Sequence, residues 1–324
     1  MVINAKENTK ENVGENTKEN VGENTKESGN AIELLDVVKQ YDGFCLDHVS
    51  FTVPRGCICG FIGQNGAGKT TTIKAVLNVI TMDAGTIRVC GCDNRKQERE
   101  FKEKIAVVFD ETPFHDDLNA KKLNAILKGV FRNWEEETYF HYLEEFGIPI
   151  KRKIGAFSKG MKMKLQIAVA LSHNAELLIM DEATAGLDPI VRNEVLDIFM
   201  KYMQDEIHTI LMSSHITSDL EKLADTIVFI HKGKILLQGF KDDILENYGV
   251  MKCRKEDFHT VDSTDYISVR QGEFAVEMLV SDRRDVKKRY PMFMVEKTNL
   301  EEIMLYYVQK ESAKSTHSYI RRES

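Results

Sequence analysis

The sequence predicts an α/β fold built around a mostly parallel β-sheet. Along residues 31–240, short apolar runs of strand character alternate with segments of helical period, which is typical of parallel strands joined by right-handed crossovers. A glycine-rich loop, GQNGAGKT at 63–70, stands between one such strand and one such helix. Hydrophobic residues make up 42% of the 324-residue chain, so we expect a substantial core and about two domains.

The glycine-rich loop fits the pattern G-x-x-x-x-G-K-[ST], in which consecutive backbone N–H groups surround the phosphates of a nucleotide. Its glycines, Gly63, Gly66 and Gly68, allow a tight turn and a close approach of the backbone to the phosphates. The apolar run 57–62 predicts a strand before the loop, and 71–80 has a helical period after it. The phosphates would therefore lie at a helix N-terminus, which favours anions.

Composition and charge exclude several classes of protein. The net charge of −7 gives no basic field for nucleic acid. There is no window of about 18 consecutive apolar residues and no apolar signal-peptide core, so we expect a soluble, cytosolic chain. Residues 7–30 repeat an eight-residue unit, ENTKENVG, that is nearly free of apolar side chains. We therefore expect residues 1–30 to form a disordered tail.

Two C-x-C pairs, Cys57/Cys59 and Cys90/Cys92, are open to two interpretations. They could hold zinc, but zinc knuckles usually space their ligands two or more residues apart. Residues i and i+2 of a strand share one face, where cysteine behaves as a small hydrophobe. We therefore expect Cys57 and Cys59 to pack as apolar side chains.

The remaining elements follow from hydrophobic periodicity and turn residues. Between 113 and 160 the strands give way to helical spacing, which predicts a helical insert in the domain that spans 31–240. Residues 241–324 predict a small α+β appendage whose polar end, from Lys310, we expect to fray. The other expected elements are strands at 31–41, 44–53, 86–90, 105–109, 177–180 and 209–213, helices at 159–171, 190–203 and 220–223, a hairpin of 226–230 with 234–237, strands at 266–270 and 274–279, and a helix at 300–308.

Two carboxylates follow the apolar strand 177–180. A phosphate-loop protein needs an acid near Mg²⁺, held together with the loop threonine, here Thr70, and Asp181 suits this role. Hydrolysis also needs a group that orients or deprotonates the attacking water, and Glu182 suits that role. Lys69 adds a positive charge to the phosphate site.

With these motifs in place, the chain resembles the ATP-binding cassette (ABC) ATPases. FSKGM at 157–161 is similar to the family's signature motif, AGLD at 185–188 to its D-loop, and His215, after an apolar strand, to its switch histidine. The motifs stand in family order over residues 31 to about 240. The resemblance implies a P-loop NTPase with a mostly parallel sheet core, an antiparallel β subdomain and a helical insert, acting on ATP with Mg²⁺.

The resemblance also implies the site residues. Catalytic roles fall to Glu182, His215 and Lys69, and Mg²⁺ would be held by Thr70, Asp181 and Asp110, the last standing where many members have a glutamine. Tyr41 would stack on the adenine. The other residues implied to contact the nucleotide are Gly63, Gln64, Asn65, Gly66, Ala67, Gly68, Lys69, Thr70, Thr71, Ser158, Gly160 and Asp188.

The signature differs from the family's usual LSGGQ, because Lys159 and Met161 replace a glycine and the glutamine, whereas Ser158 and Gly160 are kept. Ser158 and the free N–H groups at the start of the 159–171 helix form a second anion site. In the family this site faces the γ-phosphate bound to the other subunit. The resemblance therefore implies a dimer closed by two ATP molecules, either a homodimer or a heterodimer.

Within the family, the chain is most similar to bacterial subunits that pair with an integral-membrane permease in drug, peptide or lantibiotic export and self-immunity. This implies a peripheral protein at the cytoplasmic face of the membrane and an exported drug, peptide or lipid-like substrate. Two alternatives stay open: a soluble ABC ATPase acting on nucleic acid or in translation, and a nucleotide-gated regulatory or immunity subunit with little turnover. The single cassette and the acidic balance weigh against the first, so we expect no nucleic-acid partner.

Overall fold

The fold is described from a computed structural model that covers residues 29–320, with side chains as far as Glu311. The expected tail at 1–30 lies outside the described residues, apart from Gly29 and Asn30, and so does the segment 321–324.

Strands and helices alternate along the chain. The elements up to the sixth strand are β1 (Asn30–Tyr41), β2 (Phe44–Pro54), β3 (Ile58–Ile62), α1 (Lys69–Val76), β4 (Ala84–Val89), β5 (Cys92–Asp93), α2 (Glu98–Lys102) and β6 (Ile105–Phe109). The central elements are α3 (Ala120–Val130), α4 (Glu136–Glu145), α5 (Lys159–Leu171), β7 (Leu177–Asp181), α6 (Pro189–Tyr202), β8 (Thr209–Ser214), α7 (Thr217–Leu223), β9 (Thr226–His231) and β10 (Lys234–Phe240). The last elements are α8 (Lys241–Asn247), β11 (Gly249–Arg254), β12 (Ser268–Gln271), β13 (Ala275–Val280), α9 (Arg283–Arg289), β14 (Met294–Lys297) and α10 (Leu300–Ile320).

The strands form three sheets. The largest has six strands in the order β10-β9-β3-β8-β7-β6, and all but β10 run parallel. A four-stranded antiparallel sheet has the order β2-β1-β4-β5, and a second antiparallel sheet has the order β12-β13-β11-β14. The predicted fold class, a mostly parallel core with an antiparallel β subdomain, helices and a small α+β appendage, is confirmed.

The parallel sheet is buried on both faces. In β3, successive side chains point to opposite faces of the sheet and so join two different apolar clusters. Ile58 and Ile62 join the apolar cluster that contains α4 and α5, whereas Cys59 and Phe61 join the cluster beneath the antiparallel sheet. The Phe61 ring lies 5.3 Å from that of Phe51 on β2. Burial raises the pKa of the Cys59 thiol to about 12, so this side chain stays neutral and packs as a hydrophobe.

The small C-terminal appendage, residues 241–320 with elements α8 to α10, contains more secondary structure than the sequence predicts. Strand β11 pairs with both β13 and β14 and was not expected. Helix α10 continues to Ile320, so the expectation that the chain frays from Lys310 is wrong over 310–320. Nothing in the part of the chain from Gly29 to Ile320 forms a helix with the length and hydrophobicity to cross a bilayer.

Helix α10 also connects the C-terminal residues 241–320 to the part of the chain that contains the parallel sheet. The backbone N–H of Leu300 donates to Glu221 Oε1 on α7 at 2.8 Å. The rings of Tyr307 and Phe229, which belongs to β9, meet edge to face at 6.3 Å. Ile303 and Tyr306 are fully buried in the same apolar cluster as the helices of the parallel sheet.

Candidate functional site

The carboxyl ends of four parallel strands lie side by side. In the register of these strands Ile62 stands beside Ser214, Ser213 beside Asp181, and Asp181 beside Phe109. The segments that follow β3, β8, β7 and β6 therefore leave the sheet at one edge. Ligands of open parallel sheets bind at this edge.

The glycine loop at this edge requires glycine for reasons of packing as well as ligand approach. A Cβ on Gly63 would stand 2.6 Å from the carbonyl oxygen of Ile230. Gly68 has φ of +115°, and a Cβ there would stand 2.9 Å from the Leu46 side chain. The remaining loop residues Gln64, Asn65, Gly66 and Thr70 are exposed, Ala67 is buried, and Thr71 on α1 is half-buried.

The three predicted catalytic residues are in contact. Lys69 is 5% exposed, and its Nζ donates to the carbonyl oxygen of Gly63 at 2.6 Å. The same Nζ forms an ion pair with Glu182 Oε1 at 3.0 Å. Glu182 Oε2 lies 2.6 Å from Nδ1 of His215. The two oxygens of one carboxylate thus connect the loop lysine to His215.

Glu182 has an unusual backbone conformation for a residue with a side chain, because its φ is +54°. Its N–H donates to the carbonyl oxygen of Ser213 at 3.1 Å, and its own carbonyl accepts from the N–H of Ala185 at 3.0 Å. A non-glycine residue at positive φ costs about 1–3 kcal/mol and persists only where its surroundings hold it. Such residues concentrate at functional sites.

Asp181 offers the chemistry that a divalent cation needs. It ends β7 and is 7% exposed, and its Oδ1 is buried without a hydrogen-bond partner among the described residues. A buried carboxylate oxygen without a partner is costly unless a cation compensates it. Mg²⁺ prefers oxygen ligands. Besides the Asp181 carboxylate, the hydroxyl of Thr70 offers a second oxygen, on the segment that leaves the same edge of the sheet. The residues present therefore fit Mg²⁺.

Asp110 has a partner that the sequence analysis missed. Its Oδ1 pairs with Nζ of Lys159 at 2.6 Å, and both side chains are close to half exposed. Lys159 Nζ also stands 3.1 Å from the position of a Cβ on Gly186 in the D-loop segment. The signal in the sequence was that both positions differ from the family's usual residues, and that they differ with opposite charges. A role of Asp110 in holding Mg²⁺ stays a prediction.

The signature and the D-loop segment each begin a helix. Ser158 is the N-cap of α5, and its exposed Oγ accepts from the N–H of Met161 at 3.2 Å, which leaves its O–H to donate outward. A Cβ on Gly160 would stand 3.0 Å from Val191 on α6. Asp188 caps α6 by accepting from two backbone N–H groups at 3.1 Å each.

Ser158 and Gly160 stand apart from the contacts among the predicted catalytic residues. Over residues 29–311, where side chains are described, no hydrogen bond or ion pair joins Ser158 or Gly160 to Lys69, Glu182 or His215.

Tyr41 ends β1 and is 41% exposed, so part of its side chain is accessible to a ligand. Lys39 Nζ lies 5.4 Å from the ring centroid and pairs with Asp83 Oδ1 at 3.0 Å. The ring, predicted to stack on adenine, therefore has a cation at one side.

A strand of a parallel sheet, the loop GQNGAGKT and a helix that begins at the buried Lys69 define a phosphate-loop nucleotide-binding protein. Residues 46–185 match the sequence profile of the ABC transporter family. The chain is 37% identical over 211 residues to the bacitracin transport ATP-binding protein BcrA of Bacillus licheniformis, covering 63% of this chain and 68% of the relative. It is 37% identical over 198 residues to the lantibiotic transport ATP-binding protein SrtF of Streptococcus pyogenes, covering 60% of this chain and 83% of the relative.

A solved structure of an ATP-binding subunit of an ABC transporter has a TM-score of 0.60 and 29% identity, covering 66% of this chain and 91% of that one. The chain belongs to the ABC transporter family, as its ATP-binding and ATP-hydrolysing subunit.

We predict that Lys159→Gln weakens binding of Mg·ATP by about 2- to 5-fold, because it leaves the Asp110 carboxylate unpaired at the edge that receives phosphates. The double variant Asp110→Asn/Lys159→Gln should restore the affinity. Titration with a fluorescent ATP analogue measures both. Lys162→Gln is the matched control, since Lys162 lies on the same helix and pairs with Asp116 at 3.1 Å. If Asp110 instead holds Mg²⁺, Asp110→Asn alone will weaken Mg·ATP binding more than binding of metal-free ATP.

Proposed function

We propose that this chain powers the export of peptide antibiotics or similar drugs through an integral-membrane permease, by closing a dimer around two ATP molecules. The observation that carries the proposal is the contact of Lys69, Glu182 and His215 at one edge, with the signature residues Ser158 and Gly160 bonded to none of them. Within residues 29–311 the anion site at the start of α5 contacts none of these three residues, so it is suited to an ATP molecule held by another subunit.

We infer a dimer because the phosphate loop and the signature lie on different surfaces of the chain. Each ATP would lie between the phosphate loop of one subunit and the signature of the other. One chain contains both halves with Glu182, Ser158, Gly160 and His215 present, so both sites of a homodimer would be complete. A heterodimer with a related subunit is the alternative within the same proposal.

In each ATP site, different residues of the chain would have different roles in hydrolysis. Lys69 offsets the charge of the phosphates. The oxygens of Thr70 and Asp181 would hold Mg²⁺, which supplies further positive charge when bound. Glu182 accepts a proton from the attacking water. Because Nδ1 of His215 faces Glu182, its Nε2 is directed away from that carboxylate and is left for the γ-phosphate.

Partner and location come from the family and its relatives. A permease would provide the path across the membrane, and the ATPase would lie at the cytoplasmic face as a peripheral subunit. The substrate class rests on the relatives named for bacitracin and lantibiotic transport. Neither of those two is named for work on nucleic acid, and nothing in the site favours that alternative.

Glu182→Gln should trap the dimer, because the amide keeps the shape of the side chain but cannot accept the proton. We expect hydrolysis to fall by about 100-fold or more and ATP, but not ADP, to convert the variant from monomer to dimer in light scattering. Glu176→Gln is the matched control, since Glu176 immediately precedes β7, at its other end, and pairs with Arg55 at 2.7 Å. A Glu182→Gln variant that hydrolyses ATP as fast as its parent would show that the base has been assigned wrongly.

Ser158→Ala and Asn119→Ala separate the two roles of the signature serine. Both residues cap a helix with their side chains, at 3.2 Å for Ser158 and 2.9 Å for Asn119. Each substitution should lower the free energy of unfolding by about 1 kcal/mol, as measured in urea. Only Ser158→Ala should also weaken ATP-driven dimerisation in the Glu182→Gln background. Equal dimerisation in both variants would remove the serine from the ATP site.

The substrate class can be tested by resistance. Co-expression of this chain with the permease that co-purifies with it should raise the concentration of bacitracin or of a lantibiotic needed to stop growth of a sensitive bacterium. The same permease with Glu182→Gln should give no protection, whereas Glu176→Gln should protect like the parent. Unchanged sensitivity with an active ATPase would contradict export of these compounds while leaving the ATPase assignment intact.

A further inference from the structure

Thr184, Arg192 and Asp219 form a polar cluster in which Thr184 and Asp219 are buried and Arg192 is half-buried. Each belongs to a segment that carries a site residue: Thr184 stands two residues after Glu182, Arg192 four after Asp188, and Asp219 four after His215. Asp219 is 2% exposed and Thr184 is 1% exposed. The cluster therefore joins the three segments, and only the Arg192 side chain is partly open to solvent.

The contacts satisfy both oxygens of the Asp219 carboxylate. Arg192 Nε lies 2.8 Å from each of them, and its terminal nitrogen also contacts Oδ1. Thr184 Oγ1 donates to Oδ2 at 3.0 Å. Charge-assisted bonds of this kind are roughly twice as strong as neutral ones, and the planar guanidinium fixes their direction.

This cluster is one of two side-chain links between the segments that hold Glu182 and His215. Within the described residues, the hydrogen bonds between side chains of 181–188 and 214–223 are those of Glu182 with His215 and of Thr184 with Asp219. The first is the catalytic contact itself, at an exposed position, since the His215 side chain is 46% exposed. The second is buried, so solvent does not compete for it.

We propose that Thr184, Arg192 and Asp219 are positioning residues that set the placement of Glu182 relative to His215 for hydrolysis. The proposal rests on the proposed function, in which Glu182 accepts the proton of the attacking water. Neither Thr184 nor Asp219 touches ATP in this scheme. Their loss should therefore lower turnover without weakening ATP binding, because a displacement of about 1 Å in a catalytic group costs up to about 100-fold in rate.

Thr184→Val is the most direct test, because valine keeps the shape of threonine and removes only the hydroxyl. We expect kcat to fall by about 10-fold or more with KM within about 2-fold of the parent. Thr184→Ser keeps the hydroxyl and should return kcat to within about 2-fold of the parent. Asp219→Asn should lower kcat further than Thr184→Val, since it disturbs the arginine contacts as well.

The matched control is Thr209→Val, the same substitution at the opposite end of the sheet. Thr209 is 1% exposed, and its Oγ1 accepts from the N–H of Gly56 at 3.0 Å. Both variants should lose similar thermal stability, but only Thr184→Val should lose turnover. Equal losses of kcat in the two variants would mean that the hydroxyls act only through stability, and would overturn the proposal.

A double variant provides a second criterion. If Thr184 acts through Glu182, Thr184→Val should not slow hydrolysis further in the Glu182→Gln background. Additive losses would overturn the proposal. The outcomes also separate the two proposals: hydrolysis that survives Glu182→Gln contradicts the base assigned in the proposed function, whereas hydrolysis lost with Glu182→Gln but kept with Thr184→Val contradicts the role of the cluster alone.

Discussion

The parallel register of β3, β8, β7 and β6 is the constraint on which the site depends. Ile62 pairs with Ser214, and Ser213, Asp181 and Phe109 are aligned across the neighbouring strands, so the segments that follow these strands start within a few strand spacings of one another. A shift of register by one residue would turn every side chain to the other face of the sheet. Burial of both faces prevents such a shift, so the apolar core fixes the polar site.

Much of this arrangement can be predicted from the sequence, because it depends on local patterns. The strand, the glycine loop and the helix around Lys69 are adjacent in the chain, and the apolar run before Asp181 marks the end of a buried strand. The signature helix begins and ends where its pattern indicates, at Lys159 and Leu171. Once a parallel sheet is inferred, the carboxyl ends of its strands are brought together by topology alone.

The parts that could not be predicted depend on contacts between distant residues. Asp110 and Lys159 are far apart in the sequence, and their ion pair depends on how the start of α5 is placed against the end of β6. From the sequence, Asp219 is an ordinary acid on a short helix. Its burial depends on Arg192 and Thr184, which come from other segments of the chain. Strand β11 was missed because half of Gly249–Arg254 is polar or glycine, and its partners are supplied by later parts of the chain.

The two oxygens of Glu182 are both engaged, one by Lys69 and the other by His215, on a backbone that its neighbours hold at φ of +54°. A glutamate side chain with free rotation loses about 1.5–2 kcal/mol of rotamer entropy when it is ordered. Here that ordering takes place when the chain folds. Under the proposed function, each round of hydrolysis would therefore begin with the carboxylate already oriented, and the binding energy of ATP would be left for bringing two subunits together.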